Sequence, residues 1–360
     1  MDEATTALDF PRGLVTLVPR TPVFAALDLG TNNCRLLIAR PSLRGFRVVD
    51  AFSRIVRLGE GLSRTGRLGE AAMARALEAL EICAERINRR GVSRLRAVAT
   101  QACRAAANGA EFLQRVAQRT GLELQMISPR EEAELAVIGC LDLLDRKAEA
   151  GLVLDVGGGS TELSWIDMRA PGLADLASGR TRGSPPIAAW YSAPIGVVTL
   201  AERFPESHGD PAWRRAMVEA VKADLAQFTG ADSLHDLFES GRGHIVGTSG
   251  AITSLAGVHL DLTRYERRRV DGLWMTREAC ERAADRLAAL SMEARAVQPC
   301  IGPDRADLVL AGAAILQAVQ ELWPSARVRV ADRGLREGLL LSLLASRHSG
   351  RRRRGRARAS

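Results

Sequence analysis

Two short segments of the chain share one pattern: an apolar run, a carboxylate, a polar turn and a second apolar run. The segments are AALDLGTNNCRLLIAR and GLVLDVGGGSTELSWID, and Asp28 in the first corresponds to Asp155 in the second. Each pattern predicts a hairpin whose first strand ends in a carboxylate. Such turns offer N–H groups to anions, and carboxylates bind the divalent cations that accompany phosphates. If the hairpins face each other, they predict a site for a chain of phosphates and its metal ion.

The turn after Asp155 carries the stronger signal of the two. Its three glycines, at 157–159, permit positive φ angles and a close approach of the backbone to a ligand. Ser160 and Thr161 add two hydroxyl groups. Glycines are also typical of a tight turn that binds nothing, but the repetition of the pattern favours a binding site. Glu162, on the returning strand, fits either a functional carboxylate or an ordinary solvent-facing position.

A third glycine-rich turn, GTSGAITSLAG, begins at Gly247 and contains Ser249 and Gly250. It follows an apolar strand and opens a helix, and helix N-termini attract anions. Simple helix initiation with small residues is the alternative interpretation. The chain has neither a Walker A Gly-Lys-Thr loop nor a G-x-G-x-x-G motif after the first strand, which argues against those two nucleotide-binding classes.

Candidate acid–base residues are harder to single out. Arg104 follows a strand predicted to end at Thr100, but all except two of the chain's 50 basic residues are arginines, so its position alone indicates only a surface charge. Glu131, Glu132 and Glu134 open a predicted helix, where acidic residues are favoured by the dipole in any case. The spacing therefore leaves a general base unassigned among them.

The composition narrows the function classes. A length of 360 residues with 46% hydrophobic content favours two domains with separate cores. Of the net charge of +8, seven charges come from the arginines at 347–360, which leaves about +1 for the rest. Nucleic-acid binding by the folded body is therefore disfavoured. The Arg-rich tail fits either a weak RNA contact or a solvated terminus.

The cysteines and the N-terminus indicate the compartment. Six dispersed cysteines without a C-x-x-C pair indicate neither a zinc site nor a disulfide framework, which favours a reducing environment. The N-terminus is acidic and lacks a long apolar core, so no signal peptide is predicted. No apolar run approaches the length of a membrane span. We expect a cytoplasmic protein without a membrane contact.

Strands alternate with helices along the chain, which predicts an α/β fold. The element pattern includes a strand at Leu122–Ile127 and a helix with Ser128 as its N-cap and Pro129 at its first position. The predicted organisation is a flexible lead at 1–21, a first domain at 22–147 completed by about 331–346, a second domain at 148–330 and a disordered tail at 347–360.

Seven blocks, in this order, resemble the exopolyphosphatase / guanosine pentaphosphate phosphohydrolase family within the actin and sugar kinase superfamily. They are ALDLGTNNCRLL, AVATQACRAAANGAEFL, ISPREEAELAVIGCL, LDVGGGSTELSW, APIGVVTLAERF, IVGTSGAITSLAG and VADRGLREGLL. The resemblance extends from about Phe24 to Leu344. It implies two actin-like (ribonuclease H-like) α/β domains flanking a central cleft, in a short form without the C-terminal domains of longer members.

The resemblance also implies residue roles. Glu132 aligns with the family's general base, and Arg104 with the arginine that contacts the phosphate chain. Asp155 and Glu162 are the implied metal ligands. The implied phosphate-binding residues are Asp28, Gly30, Thr31, Asn32, Gly157, Gly158, Gly159, Ser160, Thr161, Gly247, Ser249 and Gly250. Asn33 stands where family members often carry serine.

The implied activity is hydrolysis of the terminal phosphoryl group of inorganic polyphosphate or guanosine pentaphosphate (pppGpp). Water activated by Glu132 would attack, assisted by Mg²⁺ or another divalent cation, while Arg104 and the glycine N–H groups offset the developing charge. Two alternatives share the phosphate turns: an ATP-dependent kinase or ATPase of the same fold, and a non-catalytic phosphate- or nucleotide-binding regulator. A homodimer is expected by analogy with the family.

Overall fold

The computed structural model describes residues 21–42, 45–173, 184–207 and 209–344. Nearly all of the predicted lead, and the whole Arg-rich tail with its suggested RNA contact, lie outside the described residues. The described chain contains two mixed sheets with helices packed against them. The predicted class, two actin-like α/β units around a cleft, is confirmed. The domain boundaries themselves stay a prediction.

The first sheet has the strand order β3-β2-β1-β4-β5. Its first three strands are antiparallel neighbours, while β1, β4 and β5 run parallel. The parallel and antiparallel parts meet at β1, so the carboxyl end of β1 lies beside the carboxyl end of β4. The strands are β1 Phe24–Leu29, β2 Asn33–Ser42, β3 Gly45–Ile55, β4 Arg94–Ala99 and β5 Gln125–Met126.

The second sheet repeats this arrangement and adds one strand. Its order is β10-β11-β9-β6-β7-β8, with an antiparallel β6–β7–β8 meander and parallel β6, β9 and β11. β6 thus occupies the position that β1 has in the first sheet. The strands are β6 Ala150–Val156, β7 Thr161–Asp167, β8 Ile187–Ala193, β9 Gly243–Thr248, β10 Trp274–Thr276 and β11 Arg327–Ala331.

Helices connect the strands and cover the sheets. They are α1 Leu62–Thr65, α2 Glu70–Arg89, α3 Gln101–Ala105, α4 Gly109–Thr120, α5 Pro129–Cys140, α6 Val197–Arg203, α7 Pro211–Leu225, α8 Asp232–Glu239, α9 Gly250–His259, α10 Arg267–Val270, α11 Arg277–Ala288, α12 Met292–Ala296 and α13 Val309–Leu322, followed by α14 at 335–344. No helix among the described residues combines the length and the apolar character that crossing a bilayer requires.

The chain around β5 corrects one expectation and confirms another. The predicted strand Leu122–Ile127 is wrong in length, because only Gln125 and Met126 pair with β4. The chain leaves this sheet edge directly to begin α5. There the Ser128 hydroxyl accepts a hydrogen bond from the Glu131 N–H at 3.1 Å, and Pro129 takes the first helical position. The predicted helix cap is therefore confirmed, and it fixes where α5 begins.

Helices α5 and α14 cross very closely between the two sheets. A Cβ atom on Gly338 would lie 2.0 Å from the Leu135 carbonyl oxygen, and one on Gly139 would lie 2.1 Å from the Gly334 carbonyl oxygen. Glycine is required at both positions because the backbones touch. Leu339 and Leu340 of α14 pack in the same buried cluster as residues of β1. The crossing places the first turn of each helix at the space between the sheets.

Candidate active site

The two repeated segments form the same hairpin in both sheets. In the first, the Gly30 N–H donates to the Asn33 carbonyl at 2.8 Å, and in the second the Gly157 N–H donates to the Ser160 carbonyl at 2.9 Å. These hydrogen bonds close equivalent turns between β1 and β2 and between β6 and β7. The structure therefore places both carboxylate-ended strands and both polar turns in matching geometry.

The two turns contact each other across the space between the sheets. A Cβ atom on Gly158 would lie 3.0 Å from the Asn32 backbone nitrogen, and one on Gly159 would lie 2.9 Å from the Thr31 hydroxyl. None of the glycines at 157–159 has a positive φ, so the turn does not use the left-handed region that glycine permits. Here glycine lets the opposite turn approach.

A cleft of about 710 Å³ opens where the turns meet. Most of the implied catalytic, phosphate-binding and metal-binding residues line it: Asp28, Gly30, Thr31, Asn32, Glu132, Asp155, Gly157, Gly158, Gly159, Ser160, Glu162, Ser249 and Gly250. Three implied residues do not line the cleft. The Thr161 hydroxyl donates to the Ile195 carbonyl at 2.6 Å, and Gly247 lies in β9, where its absent Cβ makes room for Ile252. Arg104 lies behind Glu132.

Glu132 is the carboxylate that the family resemblance implies as the general base, and it is buried in the cleft. It lies in the first turn of α5 and is 8% exposed. Both terminal nitrogens of Arg104 donate to one Glu132 oxygen at 3.3 Å. Arg104 also donates to the Ile127 carbonyl at 2.7 Å and to the Gln101 side-chain oxygen at 2.8 Å. Both terminal nitrogens of the guanidinium are thus engaged by the protein, and they hold Glu132 in one orientation.

The charge around Glu132 raises its basicity. Burial raises the pKa of Glu132 well above its usual value, and the neighbouring Glu162 carboxylate raises that pKa further. The Arg104 guanidinium opposes both effects by stabilising the ionised form. A carboxylate with a raised pKa that remains ionisable is a stronger proton acceptor than an exposed glutamate.

Asp155 and Glu162 form a pair of facing carboxylates on the second hairpin. They are register partners on β6 and β7. Burial, followed by the negative charge of Glu162, raises the pKa of Asp155 to about 8. Burial also raises the pKa of Glu162, although its Oε1 accepts hydrogen bonds from Ser160 at 2.7 Å and from Ser192 at 2.9 Å, which lower it. Arg35 lowers the pKa of Asp155 and Arg104 lowers that of Glu162, but burial outweighs both, so the pKa of each carboxyl stays raised.

The first hairpin pairs its carboxylate differently. Asp28 lies opposite Arg35 in the β1–β2 register. Burial raises the pKa of Asp28, but the guanidiniums of Arg35 and Arg336 lower it. One side-chain oxygen each of Asp28, Asn32 and Asn33 is buried without a hydrogen-bond partner. Buried acceptors without a donor are costly unless a cation or a polar ligand contacts them.

These oxygen atoms fit a divalent cation such as Mg²⁺. Carboxylate and amide oxygens are the ligands this hard ion prefers, and Asp155 with Glu162 supplies the anionic pair that would hold it. Among the described residues, the only three His, Cys, Asp or Glu side chains with ligand atoms within 4.8 Å of one another are His235, Asp236 and Glu239, which do not line the cleft. Water or phosphate oxygens would complete the coordination in the cleft, as is usual for Mg²⁺.

Sequence reasoning missed two arginines that line the cleft. The guanidiniums of Arg35 and Arg336 form no hydrogen bond or ion pair within the described part of the chain, and both lie near Asp28. Unpaired, partly buried guanidiniums are well suited to phosphate oxygens. The repeat contained the signal for Arg35, because the alignment of Asp28 with Asp155 also aligns Arg35 with Glu162. Arg336 stands in the block VADRGLREGLL, at the start of α14.

The sequence and fold assign the chain to a known class. The family model described as the Ppx/GppA phosphatase family matches residues 37–347. The chain therefore belongs to this family. It is 32% identical over 337 residues to "Exopolyphosphatase 2" of Mycobacterium tuberculosis, and the alignment covers 89% of this chain and 98% of that protein.

Solved structures agree with this assignment. The Ppx/GppA family member of Aquifex aeolicus superposes with a TM-score of 0.70 at 27% identity, covering 91% of this chain and 98% of that one. An exopolyphosphatase from Cytophaga hutchinsonii superposes with a TM-score of 0.77 at 22% identity, covering 90% and 98% of the two chains. The second likeness supports the fold alone.

Proposed function

We propose that the protein is a phosphoanhydride hydrolase that removes the terminal phosphoryl group of inorganic polyphosphate, with pppGpp as a further candidate substrate. The observation that carries this proposal is the position of Glu132. It is a buried carboxylate, fixed by Arg104, in the cleft where two phosphate-type turns meet. The similarity to a protein named exopolyphosphatase 2 supports polyphosphate as the substrate.

In the proposed mechanism, Glu132 accepts a proton from the attacking water. Its raised pKa favours that transfer, and the fork from Arg104 restricts the carboxylate to one orientation. Because both terminal nitrogens of Arg104 already donate to the protein, two of their bonds going to Glu132, its direct role is to position Glu132. This differs from the phosphate contact that the family resemblance implies for Arg104.

The substrate's charge would be offset by groups that have no protein partner. Arg35 and Arg336 would bind non-bridging phosphate oxygens, and the two turns would contribute N–H groups. A divalent cation held by Asp155 and Glu162 would neutralise charge on the phosphate oxygens as the bond to the leaving group breaks. These assignments account for a cleft that contains both unpaired arginines and facing carboxylates.

Phosphate release tests the proposed activity directly. The purified protein should release orthophosphate from polyphosphate in the presence of Mg²⁺, and EDTA should abolish the release. Parallel reactions with long polyphosphate, short polyphosphate and pppGpp at equal concentrations of terminal phosphate would rank the substrates. If orthophosphate release from all three stays at the level of a protein-free control, the proposed hydrolase activity is wrong.

A kinase or ATPase remains the specific rival, because it would use the same two turns. Labelled ATP distinguishes the two reactions. A kinase transfers label from ATP to a non-water acceptor and an ATPase releases it as orthophosphate, whereas a hydrolase specific for polyphosphate leaves the ATP intact. A regulator without catalysis would bind polyphosphate and release nothing. The fixed position of Glu132 favours hydrolysis over this last alternative, since a binding protein has no need for a buried base.

A further inference from the structure

Gln101 is a polar residue in the cleft that neither the proposed mechanism nor the repeat of the two hairpins assigns to a role. It begins α3, directly after β4, and it lines the cleft beside Glu132. Its only side-chain hydrogen bond within the described residues is the one its Oε1 accepts from Arg104 at 2.8 Å. The residue is partly exposed, so its other end faces the cleft rather than the core.

The partner of Gln101 fixes which end of its amide faces the cleft. A guanidinium can only donate hydrogen bonds, so the carbonyl oxygen of Gln101 must face Arg104. The NH₂ group is then on the other side of the same planar amide. It forms no hydrogen bond to the described part of the chain. Gln101 therefore presents two N–H donors without a protein acceptor.

The location of Gln101 places these donors among the phosphate-type turns. Its Cγ lies 3.1 Å from where a Cβ atom on Gly159 would be, so the side chain contacts the second turn although it begins on the first sheet. The preceding residue, Thr100, lies near Gly30 of the first turn, with 3.9 Å between its hydroxyl and the corresponding Cβ position. Gln101 thus lies at the junction of both turns and of the Arg104–Glu132 pair.

We propose that Gln101 is a substrate-contacting residue whose carbonyl oxygen holds Arg104 on Glu132 and whose NH₂ group donates to an oxygen of the bound phosphoanhydride. One amide would then connect the position of the base to the presence of the substrate. A neutral donor is suited to this place, because the cleft already contains several carboxylates. The inference rests on the proposed function for the identity of the substrate.

Two variants separate the two ends of the amide. Gln101→Glu keeps an acceptor for Arg104 but replaces the donor by a negative charge. We expect the KM for polyphosphate to rise about tenfold or more, while kcat stays within about threefold. Gln101→Met has a similar volume and removes both ends, so kcat should also fall, by about tenfold. Gln118→Met, on the exposed face of α4, is the matched control and should change neither constant.

A binding measurement keeps this test independent of turnover. The probe is methylenediphosphonate with Mg²⁺, which cannot be hydrolysed, and its Kd is measured by calorimetry for wild type and Gln101→Glu. We expect at least about tenfold weaker binding by the variant. Equal Kd values would overturn the proposed donor role of the NH₂ group. An unchanged kcat in Gln101→Met would overturn the proposal that the Gln101 carbonyl oxygen positions Arg104.

The outcomes also separate this inference from the proposed hydrolase activity. If wild type binds the probe but releases no orthophosphate from polyphosphate, the hydrolase proposal fails. The Kd values of wild type and Gln101→Glu then still test whether Gln101 donates to the bound phosphonate. If wild type does not bind the probe, the inference about Gln101 is overturned whatever the activity.

Discussion

The two hairpins at the centre of the molecule have the same backbone, but the residues that face their aspartates carry opposite charges. Both turns are closed by a hydrogen bond of nearly equal length, 2.8 Å in the first and 2.9 Å in the second. The residue facing the carboxylate differs, because Asp28 lies opposite Arg35 whereas Asp155 lies opposite Glu162. The first pair is close to neutral and the second carries two negative charges when ionised.

The pKa directions follow this difference. Burial raises the pKa of both aspartates, and Arg35 lowers both. Arg336 also lowers the pKa of Asp28, whereas Glu162 raises that of Asp155, which reaches about 8. The second hairpin therefore has the greater need for a proton or a cation, because the residue facing Asp155 is a second carboxylate. The repeated backbone fixes where the side chains lie, and the charges of those side chains make the second hairpin the proposed cation site.

The backbone of each turn also accepts hydrogen bonds from a neighbouring segment of the chain. The N–H groups of Val56 and Gly59 donate to carbonyl oxygens of Asn32 and Thr31 in the first turn. On the second side, the N–H groups at the start of α6 donate to the carbonyl oxygens of the turn glycines, at 2.8–3.0 Å. The backbone of each turn is thus held by its own domain, and the comparison between them can be tested by substitution.

The largest expected effect is at Glu132, which lies between the hairpins and is influenced by the charges of both. Glu132→Gln should lower kcat for polyphosphate hydrolysis by about 10²–10⁴-fold, because a positioned general base contributes that much. Binding of polyphosphate should be retained. Glu131→Gln is the control, since Glu131 pairs with Arg96 and does not line the cleft. Near-normal turnover by Glu132→Gln would contradict the assignment of Glu132 as the general base.

The second prediction separates the two hairpins by their metal dependence. Glu162→Gln removes one of the two facing carboxylates, so the Mg²⁺ concentration for half-maximal activity should rise at least about tenfold. Asp28→Asn changes a carboxylate already balanced by two arginines and should shift that concentration by less than about threefold. Magnesium titrations of both variants measure the difference. Equal shifts would show that the cation is shared between the hairpins.

The third prediction concerns the glycines behind the turns. A Cβ atom at Gly196 would lie 2.4 Å from the Gly158 carbonyl carbon, which is backbone, whereas one at Gly59 would lie 2.2 Å from a Thr31 methyl group, which can rotate. We expect Gly196→Ala to lower both activity and Tm more than Gly59→Ala. Overpacking at Gly196 should lower the free energy of unfolding by about 1–3 kcal/mol.

Gly69→Ala is the control for both substitutions, because its added Cβ meets nothing within 4 Å. Thermal unfolding and kcat/KM for the three variants make the comparison. Should Gly59→Ala prove the more damaging of the pair, the second turn would be the more adaptable one.

The last prediction concerns stability rather than turnover, namely the pH dependence of Tm without metal. The pKa of Asp155 is about 8 in the folded protein, against 3.8 as its ordinary value. A raised carboxyl pKa contributes stability that is complete below the ordinary value and is lost as the pH rises toward 8. In EDTA, the Tm should therefore decline between pH 5 and pH 8.

Added Mg²⁺ should offset that decline, because it binds the ionised carboxylates. The Mg²⁺-dependent increase in Tm should grow with pH in wild type and should be much smaller in Asp155→Asn. A metal-dependent Tm increase that is the same at pH 5 and pH 8 would contradict the assignment of the cation to the second hairpin.

Several features of the fold could be predicted because they depend on neighbours in the chain. The hairpins follow from apolar runs around polar turns, and the beginning of α5 follows from the Ser128 cap and Pro129. The length of β5 could not be predicted. Its apolar residues Leu122 and Ile127 are buried by packing rather than by strand pairing, which is a tertiary effect.

The candidate site also divides into features that the sequence predicts and features that depend on tertiary structure. The sequence indicated Asp28, Asp155 and the turn glycines, since the pattern repeats. It could not indicate that Arg104 contacts Glu132, because the two residues approach only when β5 pairs with β4 and α3 and α5 begin side by side at that edge. Nor could it show that Thr161 donates to Ile195 and is thereby unavailable to a ligand.

The sequence by itself determined the two hairpins, the α/β class and the family, because each depends on local pattern or on motif order. Only the tertiary structure decided which charges face each other in the cleft. Two helices that cross at Gly139 and Gly338 bring Glu132 and Arg336 to the meeting point of two sheets. Electrostatic interaction depends on distance and burial, and neither quantity is defined before the chain has folded.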